Sequence, residues 1–359
     1  MNELLRTLGI QLPIIQAPMS GGPSTPALAA AVSNAGGLGS LAGGYLTRDQ
    51  IRDEVHRTRQ LTAHPFNVNL FAGGYYRDTD RNPAPMLAVL GEIHELLHLP
   101  PPSLPRVQPD PFDEQVAAVV DLHPRVFSFT FGVPSREVMR RLKLARIVTL
   151  GTATTAVEAA MLEEAGVSGI VAQGAEAGAH RGTFSGSFEA AMIPTLDLVR
   201  QIAARTSAPI VASGGIMTGA EIAAVLRAGA AAVQLGTAFL ACPEAGTSRA
   251  YRETILSARG DDTVMTSAFS GRPARGLRNH FIDLMAGREE ILLPFPIQNS
   301  LTRAMRSAAA AAGEAGYLSL WAGTGVGRVR AMPAADLIAT LMRELVAAAP
   351  EYGKSYQLR

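Results

Sequence analysis

Apolar residues in this chain come in short runs of four to six, and the stretches between them carry their apolar positions at helical spacing. Eight runs stand out, at 14–17, 39–42, 66–71, 126–131, 147–150, 169–172, 209–212 and 232–235. Each leads into a helical pattern, at 25–34, 47–60, 86–97 continuing through 111–121, 134–143, 154–165, 194–206, 218–228 and 243–258. Cap signals mark several boundaries: Ser24-Thr25 precedes Pro26, Thr218 stands three residues ahead of Glu221, and Gly166 and Gly229 follow helix ends. Apolar runs alternating with helices mean βα units and a parallel sheet, whereas a sandwich would show strand after strand. An open, doubly wound α/β sheet alternates in the same way. Eight units over about 250 residues fit the (β/α)8 TIM barrel more closely.

The pattern weakens in three places. The segment 73–124 is too long for a plain βα connection, and its PPPSLPRVQPDP stretch (100–111) reads as an irregular excursion on the barrel rim. Residues 262–316 carry two helical patterns and no clear strand, as expected of a small helical lid. A last helical pattern at 337–347 returns to the barrel. The expected organisation is a barrel over 1–261, a mainly helical substrate or lid lobe over 262–316, and a returning segment over 317–359.

Composition narrows the partners. At 47% hydrophobic the 359 residues can fill a sizeable core. Lys+Arg 32 against Asp+Glu 31 leaves +1, without the basic excess of a nucleic-acid binder or a membrane-surface protein, so a small molecule is the expected partner. No apolar stretch approaches the roughly 18 residues of a membrane span. One cysteine, Cys242, rules out an internal disulfide, and MNELLRTLGIQLP has no apolar core of a signal peptide, so a cytoplasmic setting is expected.

In such a barrel the chemistry sits at the C-terminal ends of the strands. Those ends supply Gln16 to Met19, Asn69, Phe131-Gly132, Gly151-Thr152, Gln173-Gly174, Ser213-Gly214-Gly215 and Gln234-Leu235-Gly236-Thr237, an amide-rich and uncharged set. A Schiff-base mechanism lacks its lysine, since only Lys143, at a helix end on the opposite face, and Lys354 are present. Metal chemistry lacks its ligands, because the strand ends offer only Glu176 and His180 together. Anion binding fits better: the glycines of SGGI and LGTAF stand before helix starts in the loops after the seventh and eighth strands, where barrels hold phosphate, although glycine also marks ordinary tight turns.

The amides of Asn69 and Gln173 suit a heteroaromatic ring edge that presents both donors and acceptors, unless they are bonded to neighbouring backbone. His180 lies in VAQGAEAGAHRGTF (171–184), where small neighbours leave its imidazole projecting into the site as a proton carrier. Arg181 is either a contact for an anionic substrate or half of a surface ion pair.

Taken together, QAPMSGGPSTPALAAAVSNAGGLGSLAGGY (16–45), FNVNLF (66–71), VAQGAEAGAHRGTF, PIVASGGI (209–216) and VQLGTAF (233–239) resemble the nitronate monooxygenases, formerly 2-nitropropane dioxygenases, of the class I type. The resemblance runs in order as far as WAGTGVG at 321–327. It implies an FMN-dependent barrel in which Met19, Asn69, Gln173, Gly178, Gly215 and the run Gln234, Leu235, Gly236, Thr237 contact FMN, and His180 is catalytic. It implies oxidation of alkyl nitronates, such as propionate 3-nitronate, or of nitroalkanes, with O2 and without NAD(P)H, giving carbonyl compounds and nitrite or nitrate in detoxification of nitro compounds. His180 would serve either as a neutral base for an α-proton or, protonated, as a holder of nitro oxygens. One departure stands in the loop: the family's usual EAGGH is here Glu176-Ala177-Gly178-Ala179-His180. The extra methyl is harmless at negative φ and costs about 1–3 kcal/mol in a left-handed conformation. An FMN-dependent enoyl-acyl-carrier-protein reductase or NAD(P)H:quinone reductase shares these loops and is the enzyme alternative, driven by a reduced nicotinamide. A flavin-binding sensor without turnover is the non-enzymatic one.

Overall fold

The computed structural model describes residues 2–74, 79–105 and 110–356; parts of the expected rim excursion, at 75–78 and 106–109, and the last residues 357–359 lie outside the described residues. Its strands are β1 Ile14–Gln16, β2 Gly39–Ala42, β3 Phe66–Phe71, β4 Val126–Thr130, β5 Val148–Ala153, β6 Gly169–Gln173, β7 Ala179–His180, β8 Ile210–Ser213, β9 Ala232–Leu235, β10 Thr263–Thr266 and β11 Ala274–Leu277. Eight of them form one parallel sheet in the order β1-β9-β8-β6-β5-β4-β3-β2. The two ends of that order meet: Gln16 N–H donates to Leu38 O at 2.9 Å and Leu38 N–H to Ile14 O at 3.0 Å. The sheet is therefore a closed (β/α)8 barrel, and the open doubly wound alternative is excluded.

The eight barrel strands are buried on both faces, which is why they read as unbroken apolar runs. The N-terminal mouth of the barrel is stoppered by the helix Glu3–Leu8, whose Leu4, Leu5 and Leu8 pack with Val126, Leu150, Val171 and Val211. Toward the C-terminal mouth the interior turns polar, with Asn69 in register with Ser128 and Ser213 in register with both Gln173 and Gln234. An apolar floor and a polar ceiling place the chemistry at one end.

The eighth helical position is filled from far down the chain. The helix Ala334–Ala348 packs between Gly219–Arg227 and Pro26–Asn34. Gly219 makes that approach possible, since a Cβ there would stand 2.0 Å from the Leu345 nitrogen, and its N–H donates to Glu344 Oε2 at 2.9 Å. The helix expected at 243–258 forms as Arg249–Ser257, but it packs with the lobe helix Arg303–Ala312 instead of closing the barrel. Among the described residues, no helix is long and apolar enough to cross a membrane.

The lobe contains strands that its pattern did not announce. β10 and β11 pair antiparallel, and β11 pairs in turn with β7, Ala274 opposite His180 and Arg275 opposite Ala179. The reading of 262–316 as free of strands is thus corrected: TVMT and ARGL are only four residues each, too short for an alternation to be legible. The helices His280–Met285, Ile297–Leu301 and Arg303–Ala312 are its α-helical elements.

This second sheet forces the backbone at Ala179 to φ +63°, the left-handed region where the family's glycine would sit without strain. Ala179→Gly should relieve about 1–2 kcal/mol of that strain and lose part of it to the freer unfolded chain, for a net gain of about 1 kcal/mol. A urea midpoint that rises in the variant agrees; a fall of similar size contradicts it.

Candidate active site

A cavity of about 580 Å³ opens at the C-terminal ends of the barrel strands, under the lobe. Met19, Asn69, Gln173, Gly178, His180, Gly215, Gln234, Leu235, Gly236 and Thr237 all line it. The strand ends converge there because the barrel brings the end of every strand to one rim.

The two amides are held differently. Asn69 Nδ2 donates to Ser128 Oγ at 2.9 Å, while its Oδ1 has no partner among the described residues and remains available to the cavity. Gln173 is spent on backbone: Nε2 donates to His180 O at 3.0 Å and Oε1 accepts from Gly182 N–H at 2.7 Å. Its first task is to brace the loop that carries His180, and one Nε2 hydrogen is left over.

His180 is fixed from three sides. Its backbone pairs with Ala274, its carbonyl is held by Gln173, and its ring sits edge-on to Phe131 and Phe295 and tilted against Trp321, with centroids 5.6–6.0 Å away. Nε2 lies 2.8 Å from Ser270 Oγ. Burial in this aromatic box, reinforced by the positive charges of Arg272 and Arg306, pushes the imidazole pKa down to about 3. The ring is neutral across the physiological range.

Glycines shape the other part of the wall. Gly214 and Gly215 take φ +132° and +68°, and Cβ atoms there would crowd Thr195 Oγ1 at 2.5 Å and Glu176 Cβ at 2.9 Å. Gly236 differs, since a Cβ would meet nothing nearer than Ala17 Cβ at 3.5 Å. The N–H groups of Gly214, Gly215, Ile216, Gly236 and Thr237 donate to no acceptor among the described residues, although all five residues line the cavity. Unspent donors at the ends of β8 and β9 make an anion cradle. Gly178 has a packing reason as well, because a Cβ there would stand 2.6 Å from the Ala322 carbonyl carbon and the Gly323 nitrogen. Thr237 Oγ1 accepts from Gly323 N–H at 2.9 Å, so the late WAGTGVG segment is tied to the cradle.

Two charged residues near the loop prove structural. Arg181 is fully buried and donates to the carbonyls of Gly174, Gln173 and Ala191, so it is neither a substrate contact nor half of a surface ion pair. Glu176 caps the helix Thr195–Ala203 by accepting from Thr195 N–H at 2.8 Å and Thr195 Oγ1 at 2.6 Å.

The positive charge of the cavity comes instead from the lobe. Arg303 and Arg306 line it, Arg306 donating only to neutral oxygens of Asn299 and Thr302. Among the described residues no Asp or Glu lines the cavity. Tyr45 also lines it, and burial holds its phenol protonated with a pKa of about 12. Sequence reading passed over Arg303 and Arg306; the available signal was two arginines three apart heading an otherwise apolar run, RAMRSAAAAA.

A family model described as nitronate monooxygenase matches residues 2–344. A nitronate monooxygenase of Pseudomonas aeruginosa is 45% identical, covering 96% of this chain and 99% of that protein. The solved nitroalkane oxidase of Streptomyces ansochromogenes is 42% identical with a TM-score of 0.89, covering 97% of this chain and 99% of its own. FabK from Thermotoga maritima is less similar, at 27% identity and a TM-score of 0.77 over 99% of both chains. With that match along nearly its whole length, the chain belongs to the nitronate monooxygenase family.

Proposed function

We propose that the protein is an FMN-dependent nitronate monooxygenase that oxidises alkyl nitronates, such as propionate 3-nitronate, and nitroalkanes with O2 to carbonyl compounds and nitrite or nitrate. The observation that carries this reading is a cavity with unspent backbone N–H groups and two guanidinium groups on its wall and, among the described residues, no carboxylate. Such a wall attracts two kinds of anion, a cofactor phosphate and an anionic substrate.

FMN suits the residues present. Its phosphate would be held by the N–H groups of Gly215, Gly236 and Thr237, where the absent side chain of Gly236 leaves room. Asn69 Oδ1 and the remaining Nε2 hydrogen of Gln173 would meet the ring edge, while Met19, Gly178, Gln234 and Leu235 would line the rest of the bed. A cavity of about 580 Å³ lies within the ordinary range for cofactor sites. When bound, the flavin would supply two-electron oxidation of the substrate and reaction with O2.

The protein's own residues handle charge and protons. Arg303 and Arg306 hold the nitronate oxygens or an anionic tail. With a neutral nitroalkane, His180 takes the α-proton: the C–H bond breaks, an N–H bond forms, and the electron pair moves into the nitronate. A ring whose proton affinity is lowered by burial is a weak base, so the preformed nitronate, which needs no deprotonation, is the better substrate. Burial of the lone Cys242, with its thiol pushed up to about 12, accords with an inert thiol in a cytoplasmic protein.

The purified protein should be yellow and consume O2 with propionate 3-nitronate in the absence of NAD(P)H; a colourless protein, or one silent without a nicotinamide, contradicts the proposal. His180→Asn should keep its flavin and lose about 100-fold or more on nitroethane, far more than on ethyl nitronate. Equal losses on both substrates would remove the base role. Gly236→Asp keeps an allowed backbone, φ −107° and ψ −71°, but sets a carboxylate in the phosphate cradle, and should purify with little flavin; full flavin content would relocate the phosphate. Because the free-enzyme imidazole stays neutral down to about pH 3, kcat/KM for nitroethane should show no histidine inflection between about pH 5 and 7. A loss of activity centred near the ordinary histidine pKa of about 6.5 contradicts the burial.

A further inference from the structure

The His180 ring makes one polar contact whose function nothing above uses. Ser270 lies in the turn between β10 and β11 and is 1% exposed. That turn is pinned on both flanks: Gln298 Nε2 donates to Ala268 O at 2.8 Å and Thr302 Oγ1 to Phe269 O at 2.6 Å. Gly271 follows at φ +76°, its missing side chain admitting the Leu293 carbonyl, which a Cβ would meet at 2.1 Å. The hydroxyl is thus delivered to the ring by lobe backbone that cannot slide.

Three groups surround Ser270 Oγ: His180 Nε2 at 2.8 Å, the Arg272 carbonyl at 3.1 Å and the Arg272 N–H at 3.3 Å. The carbonyl can only accept and the backbone N–H can only donate. The hydroxyl has one proton. If that proton goes to His180, the Arg272 carbonyl loses its bond from Ser270. If it goes to the carbonyl, Nε2 must itself carry a hydrogen, and all three contacts become hydrogen bonds. Nδ1 then bears the lone pair; it has no hydrogen-bond partner among the described residues and is not sealed off from the cavity that the ring lines.

We propose that Ser270 is a positioning residue that holds His180 as the Nε2–H tautomer, so that Nδ1 is the atom presented to substrate. The relay ends on a neutral carbonyl rather than a carboxylate, so it orients the ring without stabilising the imidazolium. The charged groups acting on the ring, Arg272 in the same turn and Arg306 on Arg303–Ala312, both oppose protonation. In the nitroalkane reaction the α-proton therefore passes to Nδ1, leaving Nε2–H on Ser270 throughout. That last step rests on the base role proposed above, whereas the tautomer does not.

The test is a long-range 1H–15N spectrum of the flavin-loaded protein labelled at histidine, with the His180 signals identified by their loss in His180→Asn. A protonated Nε2 and a bare Nδ1 support the proposal; the reverse pattern, or averaging between the two, overturns it. Ser270→Ala should lower the ratio of nitroethane to ethyl nitronate turnover by about tenfold, with Ser270→Thr restoring most of it. An unchanged ratio in Ser270→Ala while His180→Asn still separates the substrates overturns the Ser270 assignment alone. Failure of His180→Asn to separate them removes the base role and leaves the spectrum to decide the tautomer.

Discussion

Two residue pairs of antiparallel backbone, Ala179 with Arg275 and His180 with Ala274, hold this site together. They stitch a loop of the barrel to a sheet of the lobe, and most of what distinguishes the site follows. Ala179 is driven into the left-handed region, His180 is pressed into a box of Phe131, Phe295 and Trp321, and Ser270 arrives on the next turn of the same sheet. Arg272 stacks 3.9 Å from the Phe131 ring centroid and donates to the Arg181 carbonyl at 3.1 Å, fastening the two parts a second time. The His180 loop on the barrel alone would be free to move; tied to the lobe it becomes a rigid element.

Electrostatics then follow from burial. Among the described residues the cavity wall presents donors and guanidinium groups without a carboxylate, so it favours anions and disfavours a protonated imidazole by the same means. Under the base role proposed for His180, this sets the order of preference between substrates: an anion formed in solution meets a complementary site, whereas a neutral nitroalkane must first give its proton to a weak base. Arg181, although adjacent to His180, contributes by crosslinking three backbone carbonyls beneath the loop.

Much of this was legible in the chain because the βα alternation and the rule for strand ends act locally. Each expected strand formed within a few residues of its run, and residues picked from strand ends alone, Asn69, Gln173, Gly215 and Gly236 among them, came together around one cavity. What was not legible depends on contacts distant in sequence. The helix expected at 337–347 returns to the barrel as Ala334–Ala348, but that it takes the eighth helical place, about a hundred residues after β9 and in preference to Arg249–Ser257, was not legible. β10 and β11 are too short to show a period and exist because each has a partner. Charge misled at Arg181, where a residue type usually exposed is buried against carbonyls, and hid the importance of Arg303 and Arg306, whose direction is set by the docking of their helix.

In the proposed function this cavity delivers an anionic nitronate, and not a nicotinamide, to a bound flavin. Anaerobic titration of the purified protein with ethyl nitronate and, separately, with NADH and NADPH tests it most directly, read as loss of the flavin absorbance. Prompt bleaching by the nitronate and none by either nicotinamide is expected. Bleaching by NADH or NADPH, with the nitronate inert, would contradict it and make the protein a nicotinamide-driven reductase.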